Sequence, residues 1–248
     1  MTRYQNNSSY YLREGVLTLS FIINPISDLF KIIMEFFFSL THSWGWSIIL
    51  LTVLIKMVLF PTTIKQIQAM NKMKMIQPKL KEIQEKYYKT NPEEYQRRTM
   101  ELYKKENVNP FSGCLPLLIQ IPILFAIFNL LQNPDYIANV IKDASFLGLF
   151  LIKDKGNLPL AIVSGITTFF QQKLTTPTTT GNDQTQMMLY IMPVMFGFFT
   201  YQVNAGIGLY WVASNTVGIA QQYLINEFFV VKKHLKHKDG ETSEETKK

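Results

Sequence analysis

Residues 48–61 read IILLTVLIKMVLFP. One lysine, Lys56, sits in an otherwise apolar run, and the way that lysine is tolerated decides the fold. Extended from Trp46 to Gln66, the run matches the roughly 20 mostly apolar residues that a bilayer span requires, with Lys56 at its midpoint. About ten residues separate Lys56 from either end, or roughly 15 Å at the α-helical rise. A four-carbon lysine stem reaches only about 6 Å, so the ammonium cannot snorkel to either interface.

The pattern repeats along the chain. Its 248 residues are 47% hydrophobic and 17% charged, with a net charge of +7, and the apolar residues collect in long blocks with charges between them. In lipid, a spanning segment must satisfy its own backbone polar groups, so such blocks form helices. The expected fold is an all-α polytopic membrane protein. The basic excess is then a topology signal before it is a nucleic-acid signal. The single cysteine, Cys114, excludes an intrachain disulfide framework and a multi-cysteine metal site.

Working outward from the first span sets the boundaries. Residues 1–24 read as a signal-like or disordered segment, with no A-x-A-like cleavage site and no cysteine suited to lipid attachment. Residues 25–41, PISDLFKIIMEFFFSLT, place Asp28, Lys31 and Glu35 on one helical face and Leu29, Phe30, Ile33, Phe37 and Phe38 largely on the other. That pattern predicts an interfacial amphipathic helix. Trp44 and Trp46 read as an aromatic belt before the first transmembrane helix, 44–66. Residues 67–110 turn polar and basic. Pro78 interrupts them, and TNPEE reads as a turn followed by an acidic first helical turn. A cytoplasmic helical hairpin is expected, with Ile76, Leu80, Ile83 and Tyr87 as its apolar seam.

The second span is expected over 113–133, bent by Pro116 and Pro122, and an extracytoplasmic segment over 134–157. Within that segment, FLGLFLI is too short to cross and should dip into the outer interface. The third span covers 158–174, a cytoplasmic loop 175–186, the fourth span 187–203 and the fifth 206–228. A basic tail, disordered at its end, occupies 229–248. Five crossings with the basic hairpin inside put the N-terminus outside and the C-terminus in the cytoplasm, and the tail's lysines agree with that orientation.

Lys56 has no acid to answer it in the interiors of spans two to five. It is therefore either neutral or faces water. An intramembrane charge costs roughly 2.5–3.5 kcal/mol on insertion scales, and a wet cavity avoids most of that cost. Thr52, Lys56 and Thr63 share a face at i, i+4 and i+11, and Gln120 lies between the prolines of span two. On span five, Trp211, Ser214, Asn215, Gly218, Gln221 and Gln222 recur at three- and four-residue intervals. Small and amide residues also glue membrane helices together, which is the competing explanation for this last set. No catalytic constellation appears: His42, His234 and His237 are not spaced against a carboxylate or a cysteine nucleophile. No phosphate-cradling glycine motif is present, and no metal or cofactor is expected.

NPFSGCLPLLIQIPILFAIF, TTFFQQKL, MPVMFGFFTYQVNAGIGLYWVASN followed by QQYLI, and a mid-span basic residue before LFP together resemble the YidC-type membrane protein insertases. The resemblance runs from about Pro25 to Phe229 and is closest to the short form, without the large extracytoplasmic domain. It implies a five-span bundle with a cytoplasmic hairpin and a hydrophilic groove open to the cytoplasm and to lipid. The family's basic residue falls on Lys56, its span-two glutamine on Gln120 and its span-five aromatic on Trp211. The family commonly has arginine where this chain has Lys56. Lysine keeps the charge but loses the planar fork.

The function so implied is a non-enzymatic insertase and chaperone of the bacterial plasma membrane. A nascent hydrophobic segment would enter a groove lined by Lys56, Gln120, Trp211, Thr52, Ser214 and Asn215, then leave laterally into lipid. Met70, Met73, Met75 and Met100 would give the hairpin adaptable apolar contacts. Expected partners are nascent membrane proteins, membrane lipids, the ribosome and targeting factors through the hairpin and basic tail, and the secretion channel. Two other readings stand beside this one: a small-solute transporter or channel using Lys56 as an anion site, and an assembly subunit in which Lys56 pairs with another protein's acid. The absence of an internal repeat weighs against the transporter.

Overall fold

A computed structural model describes residues 4–109, 115–137, 141, 144–175 and 183–245, with side chains over 21, 23–109, 118–137, 141, 144–175 and 189–227. Cys114, the start of the expected second span, most of the 175–186 loop and the side chains of the basic tail lie outside the described residues. Nine helices and one two-stranded sheet make up the described chain. The helices are α1 (Tyr4–Thr41), α2 (Trp44–Val58), α3 (Phe60–Tyr87), α4 (Pro92–Lys105), α5 (Leu115–Gln132), the single turn α6 (Pro134–Tyr136), α7 (Leu158–Thr175), α8 (Asp183–Gln202) and α9 (Ala205–Glu245). Strands β1 (Ser145–Phe146) and β2 (Phe150–Leu151) lie between α6 and α7.

Several boundaries differ from the sequence expectation. α1 runs through Pro25, so the amphipathic stretch is the second half of a longer helix. The first apolar run is broken at Leu59. Pro61 cannot donate a backbone bond, and its ring would clash with the Met57 carbonyl in a continuous helix. Thr63 therefore lies on a different helix from Thr52 and Lys56. Pro78 stands inside α3 without ending it. Pro116 falls in the first turn of α5, where its missing N–H costs no bond, and Pro122 lies within the helix. The FLGLFLI stretch contains the β-hairpin, and α9 continues as helix through the stretch expected as tail. Among the described residues no single helix is long and apolar enough to cross a membrane; α2 and α3 pass that test only as a bent pair.

The chain divides into two compact units. The first comprises residues 1–55, 114–164 and 196–213. Its core includes Met34, Ile48, Leu51, Ile127, Leu131, Ile141, Ile152, Ile207 and Tyr210, all fully buried. α1 turns Ile23, Phe30 and Met34 toward this core, and the Ser27 hydroxyl donates to the Ala126 carbonyl of α5 at 3.0 Å. Small residues permit close approach. A Cβ on Gly208 would meet Thr200 at 2.7 Å and Leu160 at 2.8 Å, and one on Gly206 would meet Ile152 at 2.8 Å. Packing of this kind, with interhelical hydrogen bonds, holds helices together where lipid removes the hydrophobic drive. The N-terminus of α9 is closed by its surroundings: Ala205 N–H donates to Asp154, Gly206 N–H to Ile152, and Ile207 N–H to the Asn204 side chain.

The second unit comprises residues 56–113, 165–195 and 214–248. It contains the α3–α4 hairpin. Asn91 caps α4 by accepting from Glu94 N–H at 3.1 Å, with Pro92 in the first turn and Glu93 and Glu94 at the positive end of the dipole. Asn107, at φ 50°, ends α4 in a Schellman motif: Val108 N–H reaches Tyr103 O and Asn107 N–H reaches Lys104 O. The arms are joined by Lys79–Glu106 at 2.6 Å and by Arg98 over the Tyr87 ring. Ile76, Leu80, Ile83 and Tyr87 are buried or half-buried, as the seam requires.

Candidate functional site

In the second unit, Lys56 occupies the last turn of α2, two residues before the break. Its backbone carbonyl accepts from Gln221 Nε2 at 3.0 Å. The side chain is half-buried, and among the described residues no carboxylate pairs with its ammonium. Lys56 lies in the last turn of α2, where the helix dipole favours positive charge.

The polar face of α9 is used for bonding within this unit. Asn215 Nδ2 donates to Thr168 Oγ1 at 2.8 Å and to Thr167 Oγ1 at 3.3 Å. Gln222 Nε2 reaches Asn226 Oδ1 at 3.3 Å, and Asn71 Nδ2 reaches the same oxygen at 3.1 Å. Gly218 lies against Gln171, where a Cβ would come within 2.7 Å of the amide. Ser214, Asn215, Gln221 and Gln222 are all buried. For Asn215 and Gln221 the interhelical-glue explanation thus accounts for the observed geometry, whereas Gln222 bonds along its own helix.

Lys74, on α3, donates to the Leu174 carbonyl at the end of α7 at 2.8 Å. Partial burial holds its pKa below the ordinary lysine value. Sequence reasoning missed Lys74, Asn71 and Asn226. Lys74 and Asn71 look like more polar residues in a polar stretch, Asn226 lies near the end of the expected fifth span, and only the packing partner shows the use of each.

The first unit holds Gln120 and Trp211. Gln120 Nε2 donates to the Tyr210 hydroxyl at 2.5 Å, and Tyr210 is fully buried. Trp211, one residue on, stacks on Phe196 with ring centroids 4.2 Å apart. Thr52 is buried, and its hydroxyl bonds the Ile48 carbonyl of its own helix at 2.7 Å. Ser164 and Thr200 share a hydroxyl–hydroxyl bond at 2.8 Å that the sequence did not single out. Of the hairpin methionines, Met75 and Met100 are exposed, Met73 is half-buried and Met70 is buried. Only the exposed pair offers the surface expected of all four.

The broad surface is apolar as well. Ile162, Ile166 and Phe170 on α7, Ile191, Val194 and Phe198 on α8, and Leu29, Ile32 and Phe36 on α1 are exposed. Exposure of large apolar residues on this scale marks contact with membrane or protein.

These features, an α-helical chain with apolar outer surfaces and polar residues bonded between helices, define a membrane-protein class. Residues 36–233 match the family model of the 60Kd inner membrane protein, and the chain belongs to that family. It is 40% identical over 231 residues to the membrane protein insertase YidC of Wolinella succinogenes, covering 91% of this chain and 41% of that relative. It is 37% identical over 222 residues to the YidC of Campylobacter jejuni, covering 88% of this chain and 40% of that protein. It thus spans about two fifths of the length of these relatives. The YidC of Fusobacterium nucleatum is 36% identical over 207 residues, covering 84% of this chain and 98% of that one. Among solved structures, an active YidC insertase crystal structure with the first transmembrane domain resolved matches with a TM-score of 0.64 and 27% identity, over 79% of this chain and 46% of that one.

Proposed function

We propose that this chain is a membrane protein insertase that receives nascent hydrophobic segments in a hydrated groove and releases them laterally into lipid. The observation that carries the reading is Lys56: a cation at the end of an apolar helix, with no carboxylate partner among the described residues, in a chain of this family. Its partner is then an acid that the protein meets transiently. Lys56 attracts acidic residues in the leading tail of the incoming segment. The membrane potential assists, contributing about 2.3 kcal/mol per charge per 100 mV for an anion moving outward. Gln120 and Trp211 are direct substrate contacts in this reading, whereas the buried Thr52, Ser214 and Asn215 hold the helices that carry the substrate-facing residues. The apolar segment then leaves for lipid, driven by its own burial.

Five crossings, with the N-terminus outside and the C-terminus in the cytoplasm, fit the basic excess of residues 65–109 and of the tail. The exposed Met75 and Met100 suit hairpin contact with varied apolar partners, and the basic tail suits ribosomal RNA or anionic lipid. Targeting factors and the secretion channel are further partners under this reading.

The test is reconstitution of the purified chain into vesicles with a ribosome-released single-span substrate bearing an acidic N-tail. Insertion by the wild type, with photocrosslinks to the substrate from probes at Gln120 and Trp211, is expected. Solute uptake without insertion would overturn the reading in favour of a transporter.

A further inference from the structure

The β1–β2 hairpin closes through Leu147, Gly148 and Leu149. Leu147 has φ 53° and Gly148 φ 69°, and Leu149 N–H donates to Phe146 O at 3.0 Å. Turns with positive φ at both central residues take Asn, Asp or Gly, because a Cβ is crowded there. Leucine is a poor choice for the first of these positions, and packing does not explain it: Leu147 is 66% exposed and Leu149 75%. A local rule broken at an exposed apolar side chain points to a role for that side chain at the surface.

The tip is firmly mounted. Phe146 is buried and lies directly on Gly45, where a Cβ would come within 2.0 Å of its ring. Its ring meets Trp46 edge-on at 5.9 Å. Behind the strands, the Ile152 and Asp154 carbonyls accept from the first turn of α9. Trp46 is itself 46% exposed, and Leu40, at the end of α1 just before it, is exposed as well. Tryptophan collects at the membrane–water interface. Ser145, Lys153, Asp154 and Lys155 flank the tip with polar groups that oppose deeper entry.

We propose that this hairpin tip is a lipid anchor, with Leu147 and Leu149 entering the interfacial layer of the outer leaflet beside Trp46. The inference rests on the membrane topology proposed above, and its test separates the two. In a Cys114→Ser background, single cysteines at positions 147, 149, 194 and 90 are labelled with an environment-sensitive fluorophore. The full chain is then reconstituted in phosphatidylcholine–phosphatidylglycerol vesicles without brominated lipid, with lipids brominated near the headgroup end of the acyl chain, or with lipids brominated near its tail end. Val194 is an exposed apolar position on α8, and Thr90 an exposed position at the turn of the α3–α4 hairpin. Probes at 147 and 149 should be quenched by the headgroup-end bromines several-fold more than the probe at 90, and the probe at 194 by the tail-end bromines. Quenching at 194 with none at 147 or 149 would overturn the anchor and leave the topology standing. Absence of quenching at 194 too would overturn the topology and the anchor with it. Leu147→Asn suits the turn and removes one apolar contact, so it should preserve the hairpin and weaken quenching of a probe at 149. Unchanged quenching in that variant would also count against the anchor.

Discussion

Asn204 joins two elements through one buried side chain. Its Oδ1 accepts from Ile207 N–H at 3.2 Å as the cap of α9, and its Nδ2 donates to the Leu131 carbonyl near the end of α5. Asn204→Ala removes both. Loss of an N-cap costs about 0.5–2 kcal/mol. A buried carbonyl left without a donor costs about 1–3 kcal/mol. The two effects together come to roughly 2–4 kcal/mol, because neighbouring effects do not add fully. At 1.4 kcal/mol per tenfold, local opening of the first turn of α9 becomes roughly 30- to 700-fold more frequent. Hydrogen exchange of the Ile207 and Gly208 amides, measured on the full chain in nanodiscs, reads this directly. Asn204→Asp separates the two roles. It keeps the cap acceptor but turns an oxygen toward the Leu131 carbonyl, so α9 stays protected while the end of α5 loosens. Wild-type exchange at Ile207 and Gly208 in Asn204→Ala would refute the reasoning.

Two further outcomes follow from single contacts. Hydrogen bonds from Arg97 and Arg98 hold the Glu94 carboxyl down to about 2 from its ordinary 4.5. A depressed carboxylate pKa stabilises the fold above the ordinary value, and that contribution disappears as pH falls toward the folded one. Protection of α4 amides in hydrogen exchange should therefore stay level from neutral pH down to about 5 and decline between 4.5 and about 2, and Glu94→Gln should flatten that decline. Gly45→Ala forces the Phe146 ring from its seat, since the new methyl would lie 2.0 Å from it. A loss of about 1–3 kcal/mol is expected from overpacking, read as increased protease cleavage within 145–151. Wild-type resistance there would contradict the packing described.

Much of the helical organisation was legible because long apolar blocks and a polar, basic hairpin announce helices by composition. The α3–α4 turn was readable from TNPEE, since Asn, Pro and two acids each do one known thing at a helix start. The break at Leu59 was harder. Pro61 signals it, but the apolar run continues across it, and hydropathy alone reads a single span. The β-hairpin was hidden for a similar reason: FLGLFLI has the composition of a helix as much as of a strand, and only the paired positive φ values at Leu147 and Gly148 turn it back. At the site, Lys56 stood out because charge in an apolar run is costly, and Gln120 because an amide needs a partner. The partner itself, Tyr210, did not stand out, because an aromatic residue in an apolar helix needs no explanation until its hydroxyl is seen to accept the amide. Thr52 was read as facing water from its helical spacing, yet the structure satisfies its hydroxyl on its own backbone.

The central claim is that the charge of Lys56 acts on an acid carried by the substrate. A unit attraction at about 6 Å and an effective dielectric constant near 20 amounts to roughly 3 kcal/mol, and reversing the charge turns that attraction into repulsion. The decisive measurement compares wild type, Lys56→Arg, Lys56→Ala and Lys56→Glu in reconstituted vesicles, each inserting single-span substrates whose N-tails are acidic or neutral. Lys56→Arg should insert acidic-tailed substrates, Lys56→Ala should be weakened, and Lys56→Glu should be poor with acidic tails and least affected with neutral ones. Wild-type insertion of every acidic-tailed substrate by Lys56→Glu would contradict the account.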